Sequence, residues 1–180
     1  MTCPSVVRPA VIQDESEIWR LLRLMADENS LFPMSDTKVK WYLDRILKPE
    51  EIPAGDFGPR GMAGVIGDPN ALEAIILLLI GTNWYSEMYS LEDCANFVSP
   101  EHRSSNHAKA LIGYAKSIVD AVRENHPTFR LTLGIVSTKR TAAKIRLYER
   151  ANLTPVGAYF MYPRPEAEDF LPLKNSFRTG

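Results

Sequence analysis

The chain has 180 residues, 45% of them hydrophobic and 24% charged, with a formal net charge of −1. That length makes one domain, large enough to bury roughly 70% of its unfolded surface without a disulfide or metal staple. Counts of 10 glycines and 13 prolines argue against collagen-like or low-complexity chains. The longest apolar run, Ala74–Ile80, is far short of the roughly 20 residues that span a bilayer, and near-neutrality gives no general case for binding nucleic acid or acidic membrane. Met1–Ala10 has neither the basic head nor the apolar stretch of a signal peptide, so the expectation is a cytoplasmic protein. Cys3 and Cys94 form no CxxC pair and are expected to be reduced there.

In chain order, Val6–Ala10 reads as a short strand. Asp14 with Glu17 three residues later makes a capping box, and Ile18, Leu21, Leu22 and Met25 form the stripe of a first helix. After the turn-rich Asn29–Ser35, a second helix carries Val39, Leu43, Ile46 and Leu47 and stops before Pro49. Gly61–Ile66 and Leu72–Ile80 read as a hairpin about Gly67–Asn70, and a third strand occupies Ser90–Val98. Ala108, Leu111, Ile112, Ala115, Ile118, Val119 and Val122 recur at helical spacing until His126-Pro127 ends the run. Phe129–Val136 is an apolar strand, Ser137 or Thr138 can cap a helix through Arg150, and Val156–Tyr162 supplies a last strand. The order β-α-α-β-β-β-α-β-α-β predicts an α/β (α+β) fold with a mixed, mostly antiparallel sheet flanked by helices. Residues 1–165 form a single domain in this reading, and 166–180 an irregular tail broken by proline.

The segment Asn96–Ala108 carries the chemistry. A strand that gives way to small and polar residues before an amphipathic helix leaves backbone N–H groups free at the positive end of the helix dipole. With Arg103 beside them, they make a phosphate cradle, although a Ser-capped helix with nothing bound uses the same residues. The segment is neither a Walker P-loop nor GxGxxG.

Arg103-Ser104-Ser105-Asn106-His107-Ala108 resembles the acetyl-CoA signature of the GCN5-related N-acetyltransferase (GNAT) superfamily, Arg/Gln-x-x-Gly-x-Gly/Ala, with Asn106 at the usual glycine. Thr141–Leu153 is similar to the family block Asn-x-x-Ala-x-x-Leu-Tyr-x-x-x-Gly-Phe. Leu147-Tyr148-Glu149 fits it closely, whereas Thr141, Lys144, Asn152 and Leu153 replace the usual Asn, Ala, Gly and Phe. Val7-Arg8-Pro9-Ala10 followed by Asp14 is typical of the family's first strand and helix. The three matches cover most of Val7 to Tyr162 in the right order.

The resemblance implies an N-acetyltransferase that moves an acetyl group directly from acetyl-CoA, as co-substrate, to a primary amine. Cofactor contacts then fall to Phe97, Val98, Arg103, Ser104, Ser105, Asn106, His107, Ala108 and Thr141. The resemblance also implies a bulge in the strand before the signature that frees backbone donors, here Asn96–Val98, with a Phe97 or Val98 N–H facing the thioester carbonyl. Tyr148 is the acid candidate, because a phenol near pKa 10 stays protonated at neutral pH and can protonate a thiolate whose thiol pKa is about 8.5. Glu92 is the base candidate and Asp93 its rival, because a one-residue bulge would exchange their faces. A chain of waters could replace either, and both carboxylates could equally be solvated strand-edge groups. Trp84, Tyr85, Met88 and Tyr89, with Leu31, Phe32 and Met34 in the first interhelical connection, could line an acceptor pocket or simply pack.

The three histidines lack zinc-site spacing, so no metal is expected, and Cys94 has no visible activating partner. The acceptor is open among a small amine or polyamine, an antibiotic, a protein amine and, ranked last, a charged tRNA. The resemblance also leaves a homodimer open. Two other classes compete: a catalytically silent GNAT-like CoA-binding or regulatory/assembly module, favoured by the Asn106 and Lys144 departures, and an unrelated nucleotide-binding α/β module without Tyr148 chemistry. Charge is uneven: residues 1–90 hold 8 basic and 13 acidic side chains, and residues 99–150 hold 10 and 4. A basic cofactor half and an acidic half suited to a cationic acceptor fit that split, as do solvated helix faces.

Overall fold

A computed structural model describes residues 6–29, 32–56, 58–82, 85–135 and 139–157. The chain opens with β1 (Arg8–Pro9), a 3-10 turn over Ile12–Asp14, and helices α1 (Glu15–Asn29) and α2 (Asp36–Leu47). Strands β2 (Arg60–Asp68), β3 (Ala71–Thr82) and β4 (Tyr89–Val98) follow, then α3 (His107–Arg123), β5 (Arg130–Thr132) and α4 (Thr141–Arg150). The five strands lie in sequence order, antiparallel throughout except for the parallel β4–β5 pair. A mixed, mostly antiparallel sheet with helices on its faces is what the element order predicts.

Hydrophobic patterning decides which helix takes which face. The α1 and α2 stripes put Ile18, Leu21 and Leu43 against Val65, Ile75 and Phe97. On the opposite face α3 packs Leu111, Ala115 and Val119 against Ile76, Leu78 and Leu91. Because β3 is covered on both sides, its apolar run has no alternation, and Ala74–Leu78 are all buried. Gly64 lets β2 pass beneath Tyr114, whose ring a Cβ there would meet at 2.7 Å.

Local details depart from the sequence reading. Asp14 ends a 3-10 turn rather than opening a capping box, and α1 begins one residue later. Its buried carboxylate accepts the Val11 N–H at 2.9 Å and both Arg8 terminal nitrogens at 2.7 Å. Glu17 turns instead toward the Leu72 N–H, at 3.0 Å, and Arg20. For α2, the Ser35 Oγ accepts the Lys38 N–H and the helix ends at Leu47, ahead of Pro49. The strand expected over Phe129–Val136 pairs only at Arg130–Thr132. Its neighbour β4 bulges beyond Glu92, so among the described residues Leu133–Ile135 have no strand to continue against. The helix expected to be capped by Ser137 or Thr138 begins at Thr141, after Arg140 in left-handed backbone (φ 59°); Ser137 and Thr138 lie outside the described residues. Of the expected last strand, Val156 and Gly157 are not strand and residues 158–162 lie outside the described residues, as does the C-terminal tail.

Candidate active site

The centre of the site is an irregularity in β4. Pairing with β3 shifts between Leu77 and Leu78, which oppose Ala95 and Asp93, so Cys94 is the extra residue of a β-bulge. A regular strand would put Glu92, Asn96 and Val98 on one face. With the bulge, Asp93 joins Asn96 and Val98 on the α3 face. Glu92 instead opposes Leu79 on the α1/α2 face. Beyond Glu92 the β4–β5 pairing ends, so among the described residues Asn96–Val98 has no strand beside it on that edge. The gap exposes main-chain donors and acceptors where an incoming chain can bond to them.

A cleft of about 230 Å³ runs along this unpaired edge. Asn96, Phe97 and Val98 form its floor, Ser105 and Ala108 one end, and the Lys144, Leu147 and Tyr148 face of α4 the opposite wall. At the α3 end the first helical hydrogen bond runs from Ala110 N–H to Asn106 C=O, 3.0 Å, so the N–H groups of Ala108 and Lys109 precede the ladder. The His107 N–H is taken by Ser105 Oγ at 3.2 Å.

At the other end stands Tyr148. Its hydroxyl bonds to Asp93 and accepts from the Asn96 side chain. Burial, then the Asp93 charge, pushes its pKa upward, so the phenol holds its proton firmly. Asp93 is raised to about 6, chiefly by burial, against hydrogen bonds from the Gly134 N–H (2.6 Å) and Tyr148 and the nearby Lys144 charge. The Lys144 ammonium is shifted down, first by burial and then by Arg103 and Arg140, with Glu28 and Asp93 opposing.

Six expected residues line the cleft together: Phe97, Val98, Arg103, Ser105, Ala108 and Tyr148. Arg103 does so with its guanidinium engaged by the Glu28 carboxylate and the Val98 carbonyl. Ser104 and Asn106 are exposed outside the lining, and Thr141 opens α4 away from it. Asn106, at the motif's glycine position, has φ −88° and needs no left-handed backbone. Asn152, at the other glycine position, does adopt it (φ 60°) and closes α4, with Leu153 N–H reaching Tyr148 C=O at 3.0 Å. The His107 ring is buried and bonded to Glu73 rather than turned to the cleft.

Glu92 is exposed and accepts from the Ser90 hydroxyl at 2.8 Å. Cys94 is exposed at the bulge with its thiol turned in to the Leu77 carbonyl at 3.6 Å, where desolvation of the sulfur and then the Asp93 carboxylate push its pKa upward and disfavour the thiolate. Tyr85, Met88 and Tyr89 are exposed beside the strands, Met34 packs on the α1/α2 core, and Leu31 and Trp84 lie outside the described residues. Glu28 and Arg140 also line the cleft. Neither belongs to a local motif; the fold brings them in from the end of α1 and the turn before α4.

The architecture is shared with solved acetyltransferase structures. The chain is similar to AAC(6')-Iy in complex with the bisubstrate analogue CoA-S-monomethyl-acetylneamine, at a TM-score of 0.62 and 11% identity, over 91% of this chain and 99% of that one. It is similar to a ribosomal-protein-alanine N-acetyltransferase from Brucella melitensis biovar Abortus 2308 at a TM-score of 0.56 and 15% identity, over 89% and 99%. An aminoglycoside acetyltransferase from an uncultured soil metagenomic sample, in complex with sisomicin, gives 0.56 and 13%, over 89% and 96%. The chain therefore has the fold of the GNAT acetyltransferases. No protein-family model and no curated protein matches it.

Proposed function

We propose that the chain is an N-acetyltransferase that takes the acetyl group of acetyl-CoA directly to a primary amine in a ternary complex. The observation that carries this reading is the cleft itself: it follows the β4 edge that is unpaired among the described residues, from the start of α3 to a half-buried, protonated Tyr148. Its lining suits the co-substrate. Phe97, Val98, Ala108, Ala143 and Leu147 offer an apolar slot for the pantetheine arm, and the N–H groups at the α3 start, with Ser105, face the phosphate end.

Acetyl-CoA supplies the activated acetyl group; the protein supplies position and protons. A Phe97 or Val98 N–H binds the thioester carbonyl and stabilises the charge that grows on its oxygen. Tyr148 holds the proton that the leaving thiolate takes. Glu92 faces the side covered by α1 and α2 and accepts the proton of an amine bound there, whereas Asp93 lies on the opposite face beside Tyr148. The acceptor is a small-molecule or protein amine, and the exposed Tyr85, Met88 and Tyr89 offer it aromatic and apolar surface.

Thermal melting with and without acetyl-CoA tests the binding half of this reading. At a ligand concentration about 100 times its Kd, stabilisation should reach roughly 2.7 kcal/mol. An unchanged melting temperature across a wide acetyl-CoA range refutes it. A shift with no amine-dependent thiol release points to the silent CoA-binding module instead.

A further inference from the structure

Resting on that reading, we infer that Lys144 is itself an acetyl acceptor, so that the chain acetylates its own cofactor cleft. Lys144 stands where the similar family block carries alanine, and its side chain lines the cleft. Tyr148 follows four residues later on the same face of α4, one turn along. Tyr148, leaning toward the N-terminus of α4 as helical side chains do, and the Lys144 amine both lie near Asp93, which brings the amine to the end of the cleft that Tyr148 serves.

The surroundings leave the amine free to react. The groups facing Lys144 are Glu28 from α1, Asp93 from β4, Arg103 from the loop before α3, and Arg140 from the turn before α4. Glu28 is engaged by Arg103, which leaves Asp93, an acceptor of the Gly134 N–H, as the carboxylate able to take the amine's proton. Burial and the two guanidinium charges favour the neutral amine, which is the nucleophilic form.

The step balances within the cleft. The Nζ lone pair attacks the thioester carbonyl carbon, the C–N bond forms and the C–S bond breaks. The nitrogen's proton passes to Asp93, the Tyr148 proton passes to the thiolate, and Asp93 returns its proton to the Tyr148 oxygen. The products are an N-acetyl-lysine and free CoA thiol. Acetylation removes a cation from the cleft and leaves a neutral amide in the path of the next donor, so the modification limits further turnover.

Incubation of the full chain with acetyl-CoA, followed by proteolysis and mass mapping of every lysine, tests this. The expected result is acetylation of Lys144 at least about 10-fold faster than at the other lysines, as proximity to a bound donor requires. Its rate should saturate with acetyl-CoA, be suppressed by CoA, and be independent of protein concentration. Lys144→Arg should lose the fast modification. Acetyl phosphate, which has no CoA moiety, should give uniform slow labelling. A melting shift with Lys144 unmodified, or modified no faster than surface lysines, overturns the inference while leaving the proposed activity standing. Absence of any melting shift overturns both.

Discussion

At the scale of single residues, the bonded pair of Asp93 and Tyr148 sets the electrostatics of the cleft. Asp93 has a folded pKa near 6 against about 4 in an unfolded chain, so between those values the native state holds the extra proton. Stability contributed by this group is therefore greatest below about pH 4, falls as the pH rises towards 6, and levels off above. Asp93→Asn should flatten that part of the melting-temperature profile; an unchanged profile would show that burial does not perturb this carboxylate. Arg103 is read differently in place than in the motif. As a fixed cation in a helix-start loop it suggests phosphate, yet its guanidinium is held by Glu28, 75 residues away in sequence. Nothing in the local sequence signals that partner.

The elements were legible where a face repeats and illegible where the chain breaks its own period. The stripes of α1, α2 and α3 and the β2–β3 hairpin follow from hydrophobic spacing, proline stops and a turn cluster. The bulge at Cys94 does not, because an inserted residue leaves composition and propensity unchanged and shows only in which side chains share a face. It is also what separates Glu92 from Asp93, a choice the alternation alone leaves open. The shortness of β5 has the same origin, since its expected continuation depends on a neighbour that turns away. For α4 the motif was more informative than capping propensity. Arg140 begins the helix without a side-chain cap, whereas Asn152 ends it in the left-handed conformation that glycine favours. Asn152→Ala should cost about 1 kcal/mol, read by chemical denaturation, because alanine lacks asparagine's tolerance of that backbone. A neutral substitution would mean that the last turn of α4 is not under that constraint.

Over the whole molecule, the sheet separates two jobs. The α1/α2 face carries the apolar core around Ile18, Leu43 and Phe97, with Glu92 at its open edge. The other face carries α3, the cleft, Asp93 and Tyr148. The split between an acidic first half and a basic 99–150 segment follows this division only in part. Glu28, from the acidic half, and Arg103, Arg140 and Lys144, from the basic one, meet in the same cleft. The excess of basic residues is thus partly neutralised where phosphate would arrive. Among the described residues the β4 edge stands open with a protonated phenol at its end, and the proposed acetyl transfer uses both. The most direct test is the amine-dependent release of free thiol from acetyl-CoA, compared between the native chain and Tyr148→Phe. The account predicts turnover on at least one class of primary amine, with kcat lowered about 100-fold in the variant and the acetyl-CoA melting shift retained. Equal turnover by the two proteins would remove Tyr148 from the mechanism, and no release on any amine would contradict the proposed activity.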